Sequence, residues 1–229
     1  MSEVTGGIVA LMATELPLTL ESGTALWVDA AGTLLHPARP VAEVYAEHAR
    51  ALGHGVEPGE VAHRLGPAMR THRALRVGDR TWRRYWQAVV STSIGVDDPA
   101  CFEQLYAHYE GAEAWRVAPD ARACLEQLRG RGVRLALISN WDDRLRPTLD
   151  GLGLVSAFDT LLISGEEGVE KPDPEIFLRA AQRLGIRPEL SLMVGDDPDL
   201  DAVGARSVGA FVIQFGSEIN SFRQLMDPP

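Results

Sequence analysis

Ala25-Leu26-Trp27-Val28-Asp29-Ala30-Ala31-Gly32-Thr33 is the stretch from which the fold can be read. An apolar run closed by an acid and a glycine reads as a short strand buried on both faces, the kind that lies inside parallel sheets. Such a strand delivers Asp29 into a glycine turn, where a rigidly held carboxylate is placed to act as a nucleophile. Two residues on, Ala31 stands where a second carboxylate would be expected.

Downstream of the turn the period becomes helical. Val41, Val44, Tyr45, Ala49 and Leu52 recur on one face before Gly53, Trp82, Tyr85, Trp86, Val89 and Val90 mark a second face, and Phe102, Leu105, Tyr106 and Tyr109 a third, entered through Asp98-Pro99. Residues 37–115 therefore read as an all-helical insert. From Val117 helices alternate with short apolar runs: a helix from Pro119-Asp120 to Arg129, a strand at Arg134–Ser139, a helix at Asp142–Leu152 and a strand at Phe158–Ser164. A helix at Pro174–Leu184, a strand at Leu190–Gly195, a helix at Leu200–Arg206 and a strand at Ala210–Phe215 follow. Strands separated by helices imply right-handed parallel crossovers, so the expected fold is α/β, a doubly wound, mainly parallel sheet with an inserted all-helical unit. The expected division is an N-terminal tail over residues 1–22, an α/β core over 23–36 and 116–229, and a helical domain over 37–115.

Composition narrows the function classes. The 229 residues are enough for a substantial core without disulfides, and the net charge of −10 argues against a general nucleic-acid binder. Cys101 and Cys124 lack the close spacing of zinc ligands and read as buried thiols of a reduced, cytoplasmic protein. No apolar run is long enough to cross a bilayer, and the N-terminal residues lack the basic start of a secretory signal. Between Arg64 and Arg84 seven arginines accompany one acid, Asp79, which fits either a solvated helix face or a site for a second anionic group of a ligand. Lys171 is the one lysine in the chain.

In doubly wound sheets the ligand site lies beyond the carboxyl ends of the strands. Asp29, Ser139-Asn140, the loop carrying Lys171, and Asp196-Asp197 with Asp201 all fall there. Singly, each has a structural reading: a side-chain turn, a helix cap, a solvated lysine, or acids facing a helix N-terminus. Jointly they supply what phosphoryl transfer needs. Asp29 attacks, Mg²⁺ gripped by Asp29 and Asp196 offsets phosphate charge, and Ser139 and Lys171 hold the phosphoryl oxygens. Lys171 also keeps Asp29 ionised and apart from Asp196.

Asp29-Ala30-Ala31-Gly32-Thr33-Leu34, Ile138-Ser139-Asn140, Lys171-Pro172-Asp173 and Gly195-Asp196-Asp197 with Asp201 resemble the four motifs of the haloacid dehalogenase superfamily over about residues 25–215. The resemblance implies a Rossmann-like core with a helical cap and an Mg²⁺-dependent phosphatase of a small phosphorylated metabolite. It further implies that Ala31 lends its backbone carbonyl to the metal, that Gly32, Thr33 and Asn140 join Ser139 and Lys171 at the phosphate, and that Asp197 and Asp201 form a supporting acidic cluster. Ala31 removes the general acid of this family's phosphatases. A positioned acid is worth about 10² to 10⁴ in rate, so the expectation is slow turnover, good leaving groups only, or a substitute acid such as His36. Two alternatives stand beside it, a catalytically impaired binding or interaction protein and haloacid-type carbon–halogen hydrolysis. The intact acidic cluster speaks against the latter, and the absence of lysine from the helical insert speaks against Schiff-base chemistry. Trp82 and Trp86 are expected in the insert's core, and Trp141 at the site entrance.

Overall fold

The apolar run at 25–28 is the middle strand of the molecule because its alternate side chains feed two different cores. Leu26 and Val28 pack in one cluster with Leu135, Leu137 and Val194, whereas Ala25 and Trp27 pack in another with Ile138, Met193 and Phe177. A strand with helices on both faces has no side to turn to water, which is why it is apolar throughout.

In the computed structural model, which describes residues 16–226, the elements run β1 (Ala25–Val28), β2 (Leu35–Pro37), α1 (Val41–Ala51), α2 (Pro58–Thr71), α3 (Arg83–Ile94), α4 (Pro99–His108), β3 (Trp115–Val117), α5 (Ala121–Gly130), β4 (Arg134–Ser139), α6 (Leu145–Gly151), β5 (Thr160–Ile163), α7 (Ser164–Glu167), α8 (Pro174–Leu184), β6 (Ser191–Gly195), α9 (Val203–Ser207) and β7 (Phe211–Gln214). The five-stranded sheet has the order β5-β4-β1-β6-β7, every pair parallel. Val28 lies opposite Leu137 on one side and Val194 on the other, so Asp29, Ser139 and Asp196 emerge at one edge.

β2 and β3 form an antiparallel pair, Leu35 opposite Val117 and Pro37 opposite Trp115, through which the chain leaves the sheet and returns. The helices between them have their own core, with Val44, Tyr45, Phe102 and Leu105 in one cluster and Trp82, Tyr85 and Val89 in a second. Their ends are built as the residues suggest. Asp98 caps α4 by accepting from the Ala100 and Cys101 amides, with Pro99 as the first helical residue, and Glu57 and Glu60 form a capping box at α2.

Several expectations shift. The helix expected from Asp142 begins at Leu145, because the Asp142 carboxylate folds onto the Arg144 amide and guanidinium and holds a turn there. The one expected at Leu200–Arg206 is a wide helical turn, Pro198–Ala202, followed by α9. Residues 1–15 of the expected tail lie outside the described residues, and within 16–22 Leu20 is buried in the core. Cys101 and Cys124 are free and buried. Among the described residues no helix is long and apolar enough to cross a membrane.

Candidate active site

Asp29 sits one residue beyond β1, its amide donating to the Val194 carbonyl at 2.9 Å, and only 5% of it is exposed. The Lys171 ammonium reaches it from the loop before α8, with Nζ 2.6 Å from Asp29 Oδ1 and 2.5 Å from Asp201 Oδ1. Lys171 is itself 2% exposed, so the solvated reading of this side chain is corrected. The expected separation of Asp29 from Asp196 is corrected too: the lysine stands between Asp29 and Asp201.

Asn140 sets this reach. Its amide nitrogen donates to the Lys171 carbonyl at 2.8 Å and its amide oxygen accepts from the Lys171 N–H at 2.7 Å, clamping the lysine backbone from the end of β4. Thr33 acts likewise on the other side, donating from its hydroxyl to Asp196 Oδ1 at 3.1 Å. The Gly32 amide donates to the Leu35 carbonyl at 2.9 Å. Asn140, Gly32 and Thr33, expected at the phosphate, are here engaged with the protein through the Asn140 side chain, the Thr33 hydroxyl and the Gly32 amide, where they position Lys171, Asp196 and the turn. Ser139 differs. Its hydroxyl is buried at the end of β4 and has no hydrogen-bond partner, an orphan whose desolvation is costly unless a ligand meets it.

Asp29, Asp196 and Asp201 each offer a carboxylate oxygen, the three lying within 4.8 Å of one another, with Asp196 on the exposed side. Asp197 does not join them. Its Oδ1 accepts from the Asp199 and Leu200 amides and caps the wide turn, which brings Asp201 back so that its Oδ2 accepts from the Asp197 amide. The acidic cluster expected to include Asp197 thus has Asp201 alone from that pair. Two glycines make the close packing possible: a Cβ on Gly32, at φ +91°, would strike the Asp196 carboxylate, and one on Gly195 would strike Asp201.

Burial pushes the Asp29 carboxyl up to about 7; Lys171 offsets part of this, while Asp201 and Asp196 add to it. For Lys171 burial works against the charge, but the two facing carboxylates outweigh it and hold the ammonium above the ordinary lysine value. With all three carboxylates ionised, as a bound cation would favour, they and the one ammonium leave a net charge of −2. An all-oxygen donor set with that excess fits a hard divalent cation such as Mg²⁺.

Ala31 is exposed at the mouth of a cavity of about 220 Å³ that also meets Asn140 and Trp141 and runs among the helices between β2 and β3. Trp82 and Trp86 both line it while packing in the helical core, and Trp141 lines it although only 6% exposed. His36 lies on β2 with its ring 6.5 Å from that of Phe215. Within the arginine-rich stretch, Arg73 and Arg76 pair with Glu170, next to Lys171 in sequence. Sequence reasoning missed the clamp by Asn140 and a buried pair, Asp142 with Arg144. Arg144 donates to both Asp142 oxygens and to the Tyr106 carbonyl, while the Trp86 indole donates to Asp142 at 2.6 Å. The visible signal for that pair was an acid two residues before an arginine, beside a strand end.

Parallel α/β hydrolases with a strand-end aspartate are the class that this geometry defines. The chain belongs to the haloacid dehalogenase-like hydrolases, whose family model matches residues 24–209. It is 38% identical over 193 residues to human haloacid dehalogenase-like hydrolase domain-containing protein 3, covering 79% of this chain and 77% of that protein. A stretch of 104 residues is 42% identical to a phosphoserine phosphatase of Thermus thermophilus, covering 45% of this chain and 42% of the relative. Among solved structures, a HAD phosphatase from Thermococcus onnurineus superposes with a TM-score of 0.60 at 25% identity, covering 89% of this chain and 96% of that one.

Proposed function

We propose that this protein is a cytoplasmic, Mg²⁺-dependent phosphatase of a small phosphorylated metabolite, acting through a phospho-Asp29 intermediate, with residues 37–115 as a helical cap over the site. The observation that carries the reading is the buried Asp29–Lys171–Asp201 cluster with Asp196 at its open side. Relatives named as phosphatases of phosphoserine and of glyceraldehyde 3-phosphate support it.

Asp29, Asp196 and the Ala31 backbone carbonyl would hold the metal, with Asp201 behind them fixing Lys171. The chemistry a bound Mg²⁺ supplies is charge neutralisation at the transferring phosphoryl oxygens. Asp29 attacks phosphorus and the ester oxygen departs with the bonding pair. Lys171 faces the developing charge while keeping Asp29 ionised, and the partnerless Ser139 hydroxyl donates to a phosphoryl oxygen. Water then attacks phosphorus, the Asp29–phosphorus bond breaks, and the carboxylate is restored. No side-chain acid stands at position 31 to protonate the leaving oxygen, so turnover is slow for poor leaving groups.

The test is release of inorganic phosphate from a panel of monoesters with and without Mg²⁺. Asp29→Asn should lower the rate by about 10⁴-fold or more, while beryllofluoride, a phosphoryl mimic, should bind the unaltered protein only with Mg²⁺. Failure of both turnover and beryllofluoride binding would overturn the assignment.

A further inference from the structure

We propose that the substrate is an aryl phosphate, a phosphate monoester of a phenol-type alcohol whose ring occupies the cavity opening at Ala31; this rests on the phosphatase reading above. Two independent observations lead to the same chemistry. The first is the lining. Tyr45, Leu65, Trp86, Phe102, Tyr106 and Trp141 line the space, contributed by α1 to α4 and by the loop after β4.

The charged groups in the wall are already paired, with Arg76 Nε alone among their buried polar atoms left without a partner. Arg144 is paired with Asp142 and its guanidinium lies 3.7 Å from the Tyr106 ring centroid, while Arg76 pairs with Glu170, donates to the Tyr85 hydroxyl and stacks 4.3 Å from the Trp82 centroid. The Asn140 amide holds the Lys171 backbone. Sugar hydroxyls or a second phosphate would lose hydration there with few groups in return. Two lining residues carry buried polar atoms without a partner, the Tyr109 hydroxyl and Arg76 Nε, enough for a single polar substituent on a ring. Burial keeps the Tyr109 hydroxyl protonated, hence a donor.

The wall is held in place at a cost. Trp82 adopts φ 48°, the left-handed region that bulky residues rarely enter, and its ring is fixed between Arg76 and Tyr85. An apolar cavity of about 150 Å³ admits benzene, so about 220 Å³ suits a ring system of one or two rings.

The second observation is Ala31. Without an acid, the ester oxygen must leave as its anion. A phenol has a pKa of about 10, and an alkyl alcohol is nearer to water at about 16, so the aryl ester alone leaves readily unassisted. The phosphorus–oxygen bond breaks with its electron pair on the aryl oxygen, which takes a proton from water once released. Overall the ester and one water give a phenol and hydrogen phosphate. Loss of the residue that would activate water affects the second step for every substrate, so the phosphoenzyme accumulates after fast aryl release.

The experiment uses the full chain with Mg²⁺ and compares phenyl and 1-naphthyl phosphate with benzyl phosphate and glycerol phosphate. The expected result is kcat/KM at least about 100-fold higher for the two aryl esters than for glycerol phosphate, with a stoichiometric burst of phenol or naphthol before the steady state. Benzyl phosphate, with an aromatic ring but an alkyl leaving oxygen, should match the phenyl ester in Kd, measured as competitive inhibition before turnover, and fall in kcat without a burst, its KM lying above that of the phenyl ester, whose KM the accumulating phosphoenzyme lowers. Equal or better turnover of glycerol phosphate overturns the aryl assignment and leaves the phosphatase reading standing. No release from any ester, together with no Mg²⁺-dependent beryllofluoride binding, overturns both.

Discussion

The charged floor of the site and the aromatic cavity beside it meet at Ala31 and Asn140, and they are constructed in opposite ways. On the floor each side chain follows a strand or its loop, and position is set by charge: Lys171 is fixed by two carboxylates and by the Asn140 clamp, Asp196 by Thr33. In the cavity, side chains from α1 to α4, β3 and the loop after β4 converge, and position is set by packing of helices that also form their own core. Charge at short range in a buried place leaves little freedom, since an unpaired buried ion is far costlier than a poorly packed ring. The floor should therefore change in whole steps on mutation, and the cavity by degrees.

Lys171→Met is the sharpest way to break the contrast. It leaves Asp29 and Asp201 facing each other in a dry site, a loss of about 3 to 5 kcal/mol for an orphaned buried partner. Urea denaturation should show that loss in the metal-free protein, and added Mg²⁺ should restore part of it. A change under about 1 kcal/mol would mean that the ion pair is not the constraint on the floor. Arg144→Met asks the same of the one buried pair beside the cavity. It leaves Asp142, which is 0% exposed, with the Trp86 indole as its remaining side-chain donor, and the expected loss is about 3 kcal/mol by the same measurement. Unlike Lys171→Met, its destabilisation should not respond to Mg²⁺. Ala31→Asp tests the boundary itself: alkyl ester hydrolysis should rise by about 10²-fold with aryl esters gaining less, and the phenol burst should shrink. An unchanged rate would place the deficit elsewhere than proton transfer.

How far the site was legible follows from the same division. Asp29, Ser139 and Asp196 stand at strand ends, and apolar runs flanked by helical patterns are enough to say that strand ends gather. Lys171 was legible as a candidate but not as a buried one, because its burial depends on Asn140, 31 residues earlier, closing on its backbone. Asp197 and Asp201 could not be told apart, since both lie within five residues of Asp196 and the choice depends on whether a carboxylate caps the turn or faces inward. α2 escaped notice because Gly59, Gly66 and Pro67 blur its helical pattern, and only Val61 and Ala68 are buried on it. The three-residue shift at the start of α6 came from Asp142 and Arg144, whose pairing is decided by helices packed against them.

By itself the sequence determined the parallel α/β sheet, the helical run between β2 and β3, the aspartate at the end of the middle strand and the alanine two residues beyond it, since strand alternation, helical period and the identity of residue 31 are local properties of the chain. Tertiary structure decided which carboxylate meets the lysine, which polar groups are already engaged and which side chains line the cavity. Those depend on contacts between residues far apart in sequence, where burial turns a modest difference in distance into the difference between a satisfied charge and a costly one.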